Sequence, residues 1–587
     1  MFQIEKPTDS LRLIHWTKEL PRASDADPLG LELRVSARIS SELLHCITSI
    51  TPRARYYAFF PWALHDYNTR ERLTQGDRGR IKGVLLRERA MVLGAVLHHD
   101  GKACENGALG GSKEAIKLTK NPARSYDLNV WKHLNNAQGQ FGAAYKGSLI
   151  NLGLFETGDI EVNDDVAADS DELDGTTQAI EVRELSALGR RLADAFGTCV
   201  HRTAYVAQGL TTKDKVTASI LKEFGSKAGL CEITEKTPKD RGVLREVFFA
   251  KCPELQRGSH LRRRMSLILF LECTARAREA GLALDDRTLS DICYFGAMVV
   301  DGDVRRQIDI VLPASLADIQ QRWRIFFTQG YLALALQSFL VAVVRQIREK
   351  PGGVTRSQVI PALNASGLPL RYKEIFGREL PGDFFEMTAR DTLHLCGDRV
   401  DRADRLPASA EFSERQLEEL LIDDEANEAA AVVLAAMLLY QTILRYKQRC
   451  SAEHHGWYAQ QIHSEFADVA LPGIIRFLEA EFGGAWFDRT NREILDRVIW
   501  RFVVRQHQTM SYERGFGGVA PLFHVDGSRI VATKTDYTDP HAKNPRFWPA
   551  MQILADLKLI VYEHKVYELT SDGKAWLASE LASMGNP

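Results

Sequence analysis

The strongest constraint on the fold is a pattern that the chain writes twice. One copy is YKGSLINLGLFE (145–156) followed by EVRELSALGRRLADAF (181–196); the other is FWPAMQILADLKLIVYEHKVYELTSDGKAWLASEL (547–581). Leu149 matches Leu554, Leu152 matches Leu557, and Leu154-Phe155 matches Leu559-Ile560. Beyond the gap, Leu185-Ser186 matches Leu569-Thr570 and Gly189 matches Gly573. Apolar residues at helical spacing that run into Leu-x-Leu-Ile/Phe predict a helix entering a strand. The Ser or Thr is placed to cap a closing helix, with the glycine in its first turn. Between the matched blocks lie 28 residues in the first copy (156–183) and seven in the second (561–567).

Helix, strand, wing, strand and helix is the order of a winged helix, and each copy reads as one. In that fold the helix before the wing enters the DNA major groove while the wing touches backbone. The first copy would present Gln140, Tyr145, Lys146, Ser148 and Asn151. The second would present Lys543, Arg546 and Gln552 near its helix start, with His564 and Lys565 in its wing. Nine acidic residues fall in 156–174. They predict a solvated or disordered flap that repels phosphate, so the first copy also fits a protein-binding module.

A chain of 587 residues exceeds one core. The expected division is an N-terminal helical domain (1–135), a winged-helix-like module with an acidic wing insertion (136–200), a helical body (201–500) and a C-terminal winged-helix-like domain (501–587). The fold class is therefore mainly α, a multi-domain helical body with small β wings. The segments 262–280, 317–349, 414–449 and 491–510 carry helical spacing, and breakers at Pro351-Gly352-Gly353, 380–382 and Gly483-Gly484 mark joints. The apolar runs 331–344 and 428–446 fall short of a clean span of ~20 residues and read as buried helices, so no membrane partner is expected. The N-terminus lacks a signal-peptide run. Nine cysteines without a C-x-x-C pair argue for reduced thiols in the cytoplasm and against a zinc ribbon. Net charge is −2, so any nucleic-acid binding must come from local patches.

The stretch ITSITPRARYYAFFPWALHDY (47–67) poses a charge conflict. Thr51-Pro52 looks like a helix start, yet Arg53 and Arg55 follow where the helix dipole is already positive. Two answers stay open: the guanidinium groups stack on neighbouring rings or form structural ion pairs, or they hold a phosphate at the helix start. Pro61 should kink this helix. A second cluster, Arg257, Arg262, Arg263 and Arg264, could follow a phosphate backbone or form a solvated helix end.

Catalytic patterns are weak. Asp556, Glu563 and Lys565 have a nuclease-like spacing but fall inside the C-terminal winged helix. GALGGSK (107–113) lacks the order of a phosphate loop. His98-His99-Asp100 and His454-His455 read as surface histidines, because neighbours on a helix point apart. No cofactor, metal site or catalytic residue is expected.

ITSITPRARYYAFFPWAL resembles the T-x-R-A-x-Y-[YF] motif of large uncharacterised proteins of bacterial defence islands and mobile elements. NPRFWPAMQILADLKLI resembles their C-terminal NPR…AL-x-IL-x-DLGLI block, with Lys558 where glycine is usual. The resemblance covers about a tenth of the chain. It implies a bacterial, cytoplasmic protein that works with a partner ATPase or nuclease on foreign DNA, and it supplies no catalytic residues. The leading expectation is a non-enzymatic subunit that binds or senses double-stranded DNA. Arg53, Arg55, the 257–264 arginines, Lys146 and the C-terminal module would contact phosphate. The alternatives are a scaffold that grips partner subunits through its winged helices, and a cryptic metal-dependent nuclease.

Overall fold

Two long apolar helices form the centre of the molecule. Ala317–Arg348 runs for 32 residues and packs against Asp424–Arg449, which bends at Ala430, where φ −140° and ψ 18° leave the helical region. The most apolar stretches of the two are 100% and 94% buried within the protein, so protein atoms cover both helices. Several of their polar groups are satisfied internally. Ser338 Oγ donates to the Leu334 carbonyl (2.9 Å), Gln441 Nε2 to the Phe412 carbonyl (2.8 Å), and Arg445 pairs with Glu414 at 3.0 Å.

The computed structural model describes residues 27–71, 76–156, 184–300, 306–350, 352–364, 372–374, 376–397, 412–515, 521–533, 540, 544–564 and 566–585. It is 66% helical and 9% strand, and its sheets have two or three strands each. The breakers fall at ends of elements. The Ala317–Arg348 helix stops before Pro351-Gly352-Gly353, and Gly483 closes Leu471–Phe482 with φ +79°.

The repeat is real down to single hydrogen bonds. In the first copy Lys146–Asn151 leads to Phe155–Glu156, which pairs antiparallel with Glu184–Leu185 before the helix Ala187–Val200. In the second, Phe547–Asp556 leads to Ile560–Glu563, paired with Val566–Leu569 before Ser571–Gly585. Phe155 faces Leu185 as Ile560 faces Leu569. The turn out of the first helix is left-handed in both, at Gly153 (φ +71°) and Lys558 (φ +55°). A lysine therefore tolerates the turn where glycine would be the unstrained choice. Ser186 Oγ and Thr570 Oγ1 accept from the amides of Gly189 (3.0 Å) and Gly573 (2.9 Å). A Cβ on Gly189 would lie 2.0 Å from the Leu154 carbonyl oxygen, and one on Gly573 1.8 Å from that of Leu559. Glycine is needed there so that helix and strand can touch. The acidic run 157–183 lies outside the described residues.

The aromatic stretch is core. The helix Arg55–Glu71 starts three residues later than Pro52 suggested and continues through Pro61. Thr51 does not cap it; its Oγ1 accepts from the Thr48 amide at 2.8 Å. Tyr56, Tyr57, Phe59, Phe60 and Trp62 are all buried.

Candidate nucleic-acid interface

The predicted phosphate ligands are mostly inside the protein. Arg53 meets Asp556 of the C-terminal copy at 2.6 Å and donates to Gln552 Oε1 (3.0 Å) and the Asn106 carbonyl (2.7 Å). The second Asp556 oxygen accepts from the Ala54 amide at 2.9 Å. Arg55 is fully buried, pairs with Asp240 and lies 4.6 Å from the Phe196 ring centre. The charge conflict at this helix start is thus resolved by two buried carboxylates and a ring, with no face left for a phosphate. The aromatic segment 47–64 and the segment 544–560 are bound to one another. Asp556 is also withdrawn from the nuclease-like spacing, since both its oxygens are taken.

Burial pushes the Asp556 carboxyl up to about 6, against the pull of Arg53. Its folded value lies above the free value of 3.8, so the folded chain takes up this proton first as pH falls. From pH 7 to 5 the wild type should gain stability relative to Asp556→Asn. Thermal midpoints of both proteins at the two pH values check this, and parallel pH responses would refute it.

The helices ahead of the wings are not free to enter a groove. In Phe547–Asp556, Phe547, Ala550, Met551, Gln552, Ile553, Leu554 and Asp556 are buried, while Trp548 stays 46% exposed. Arg546 is buried and donates to Ser41 Oγ at 3.0 Å. In the first copy Tyr145 and Ser148 are buried, and Gln140, Lys146 and Asn151 are half-buried. Lys543 and Lys565 lie outside the described residues. His564 is exposed in the wing turn.

The 257–264 cluster does not form a phosphate track either. Arg263 is fully buried and donates to the Phe248 (3.1 Å) and Val247 (2.8 Å) carbonyls. Arg262 pairs with Glu42, and Arg264 pairs with Glu580 at 2.6 Å. Arg257 alone of the four is exposed.

A different basic surface emerges from two segments about ninety residues apart. The strand Ser125–Asp127 pairs antiparallel with Lys215–Thr217, with Asp127 opposite Lys215. The short helix Ser112–Thr119 leads into this ribbon. Residues 113–132 hold five cations and two carboxylates, and 213–222 hold three cations and one carboxylate. Lys113, Lys120, Arg124, Lys132, Lys213 and Lys215 are exposed, and among the described residues no ion pair holds them. Lys117 pairs with Glu114, Lys222 with Asp100, and Lys82 with Asp214. Glu223 is turned to the Ala204 amide. Arg89 fixes the loop after the first strand by donating to the Leu128 carbonyl at 2.6 Å.

The histidine pairs separate into two cases. His454 bonds Asp318 (3.1 Å) and His455 bonds the Tyr446 hydroxyl (2.6 Å), each with its own partner. His98 and His99 do not point apart as expected. The helix Gly76–His98 ends between them, and their rings lie 4.8 Å apart beside Cys231.

Compared with known proteins, the chain matches no family model, and no curated protein or solved structure matches it.

Proposed function

We propose that the protein is a non-enzymatic DNA-binding subunit that grips the phosphate backbone through the 113–132/213–222 ribbon, not through the helices ahead of its wings. The observation that carries this reading is a set of six exposed cations on the segments leading into and out of the paired strands, none of them held in an ion pair among the described residues, in a chain whose net charge is −2. Strands of three residues are too short to fill a groove. The contacts would position DNA without reading its bases. The family resemblance adds a setting: a bacterial cytoplasmic complex in which a partner ATPase or nuclease acts on the DNA held here.

The test is fluorescence anisotropy of the full chain with a short duplex at about 50 and 200 mM salt. Four to six phosphate contacts predict an affinity loss on the order of 10²–10³-fold between the two. Lys120→Glu/Arg124→Glu/Lys215→Glu should remove binding. No binding at low salt, or binding indifferent to the triple variant, sinks the reading. The full chain is required, because removing residues 540–587 would strip Asp556 from buried Arg53.

The scaffold reading has one observation of its own. The outer strand of the C-terminal wing exposes Val561 and Tyr562, while its inner partner is held by Leu284, whose carbonyl accepts from the Tyr567 amide at 2.9 Å. Loss of a partner subunit from a pull-down on Val561→Asp/Tyr562→Ser, with DNA binding retained, would favour it.

A further inference from the structure

The geometry points to a closed tetrahedral zinc site made by His98, His99, Cys104 and Cys231. Three separate pieces of backbone build it. The helix Gly76–His98 crosses Ala218–Ala228 glycine to glycine: a Cβ on Gly225 would lie 1.9 Å from the Gly94 carbonyl carbon. That close crossing lays the helix end against the start of Leu230–Glu235, where Cys231 sits. The chain then reverses through Asp100 (φ +52°) and Gly101 (φ +83°) and returns Cys104 to the same spot.

The ligand atoms converge. His99 Nε2 is 3.0 Å from Cys231 Sγ, and Cys104 Sγ is 3.1 Å from Cys231 Sγ. The ligand atoms of His98, His99 and Cys231 all lie within 4.8 Å of one another; Cys104 Sγ touches Cys231 Sγ but stands outside that group of three, and would move in to complete the shell. Zinc bonds of ~2.3 Å to sulfur and ~2.0 Å to nitrogen put tetrahedral ligands about 3.3–3.8 Å apart, so His99 and Cys104 would each draw back slightly from Cys231 to admit the ion. A cavity of about 10 Å³ opens among the four side chains, room for one water-sized sphere. Both cysteines are free thiols. Two thiolates and two neutral imidazoles would balance a dication, leaving no net charge in a half-buried site. Four protein ligands leave no open position, so the role is structural. The ion would pin the loop that carries Asn106 onto Arg53 and leads into the basic helix.

The cluster of His45, Cys46 and His260 offers a contrast. The buried Arg263 guanidinium lies 3.2 Å from His260 Nδ1, and burial, with Arg263 adding, pushes the pKa of His260 down to about 2 and that of His45 down to about 4. A fixed cation already occupies that space.

The full chain is expressed with zinc, purified with reductant and without chelator, and its metal measured by plasma mass spectrometry. About one zinc per chain is expected, dropping at least about tenfold in Cys104→Ser/Cys231→Ser. Cobalt(II) in place of zinc should give the intense ligand-field bands of a tetrahedral site together with sulfur-to-metal charge transfer. The cobalt spectrum of the wild type decides the matter if the serine variant fails to fold. His98→Asn, at the half-exposed helix end, should keep the charge transfer and weaken metal retention. A metal-free wild type, with the two cysteines titrating as free thiols or joined in a disulfide, overturns the site. Zinc unchanged in a folded serine variant does so too.

Discussion

Asp240→Asn should destabilise the protein by about 3–5 kcal/mol, the cost of leaving a buried guanidinium without its counter-charge. Arg55 and Asp240 are both fully buried. What remains to Arg55 in the variant is the Ala228 carbonyl at 3.1 Å, the Lys227 carbonyl at 2.6 Å and the Phe196 ring. Those dipoles solvate a cation but do not neutralise it. The pair Arg278–Glu568, with both side chains 59% exposed, supplies the control. Glu568→Gln should change stability by about 0–1 kcal/mol, since water screens an exposed pair. Denaturant midpoints of the two variants measured side by side check this. Equal shifts would mean that Asp240 is not the group that holds Arg55. A paired replacement, Arg55→Met/Asp240→Leu, should recover part of the loss, because apolar groups of similar volume often replace a buried ion pair at little cost.

Gly225→Ala should act on stability and metal together. The added Cβ would lie 1.9 Å from the Gly94 carbonyl carbon and 2.1 Å from its oxygen. Backbone cannot yield as a side-chain tip does, so the two helices must separate. The expected cost is about 1–3 kcal/mol or more. The same separation draws His98 and His99 away from Cys231, so zinc content should fall with stability. Gly242→Ala is the matched control, in the helix Lys239–Phe248, where a Cβ meets nothing within 4 Å. There alanine should be neutral or stabilising by about 0.5–1 kcal/mol. If both variants behave alike, the glycine contact does not set the crossing.

Much of the fold was legible because it is local. The two copies of the winged-helix pattern rest on residues within a few turns of one another, and their matched positions carry matched hydrogen bonds, as at Ser186 and Thr570. Helical spacing likewise placed the long buried helices. The candidate contact residues were less legible because charge alone does not tell a surface cation from a buried one. Gln552 meets Arg53 across 499 residues, and nothing local announces the pairing. The ribbon was missed because nothing local announces that Asp127 faces Lys215. The His98-His99 pair was misread because a continuous helix would have splayed the rings, whereas the helix ends at His98. In physical terms, tertiary contacts decided where each ionisable group lies, and the winged-helix analogy supplied a role that burial of the helix then removed.

The measurement that bears most directly on the proposed role is ultraviolet crosslinking of the full chain to a photoreactive duplex at low salt, with the crosslinked peptides identified by mass spectrometry. The account predicts crosslinks within 113–132 and 213–222 and none within 547–556. Crosslinks concentrated on Trp548 and its neighbours, with the ribbon unmodified, would contradict it and return DNA contact to the C-terminal winged helix.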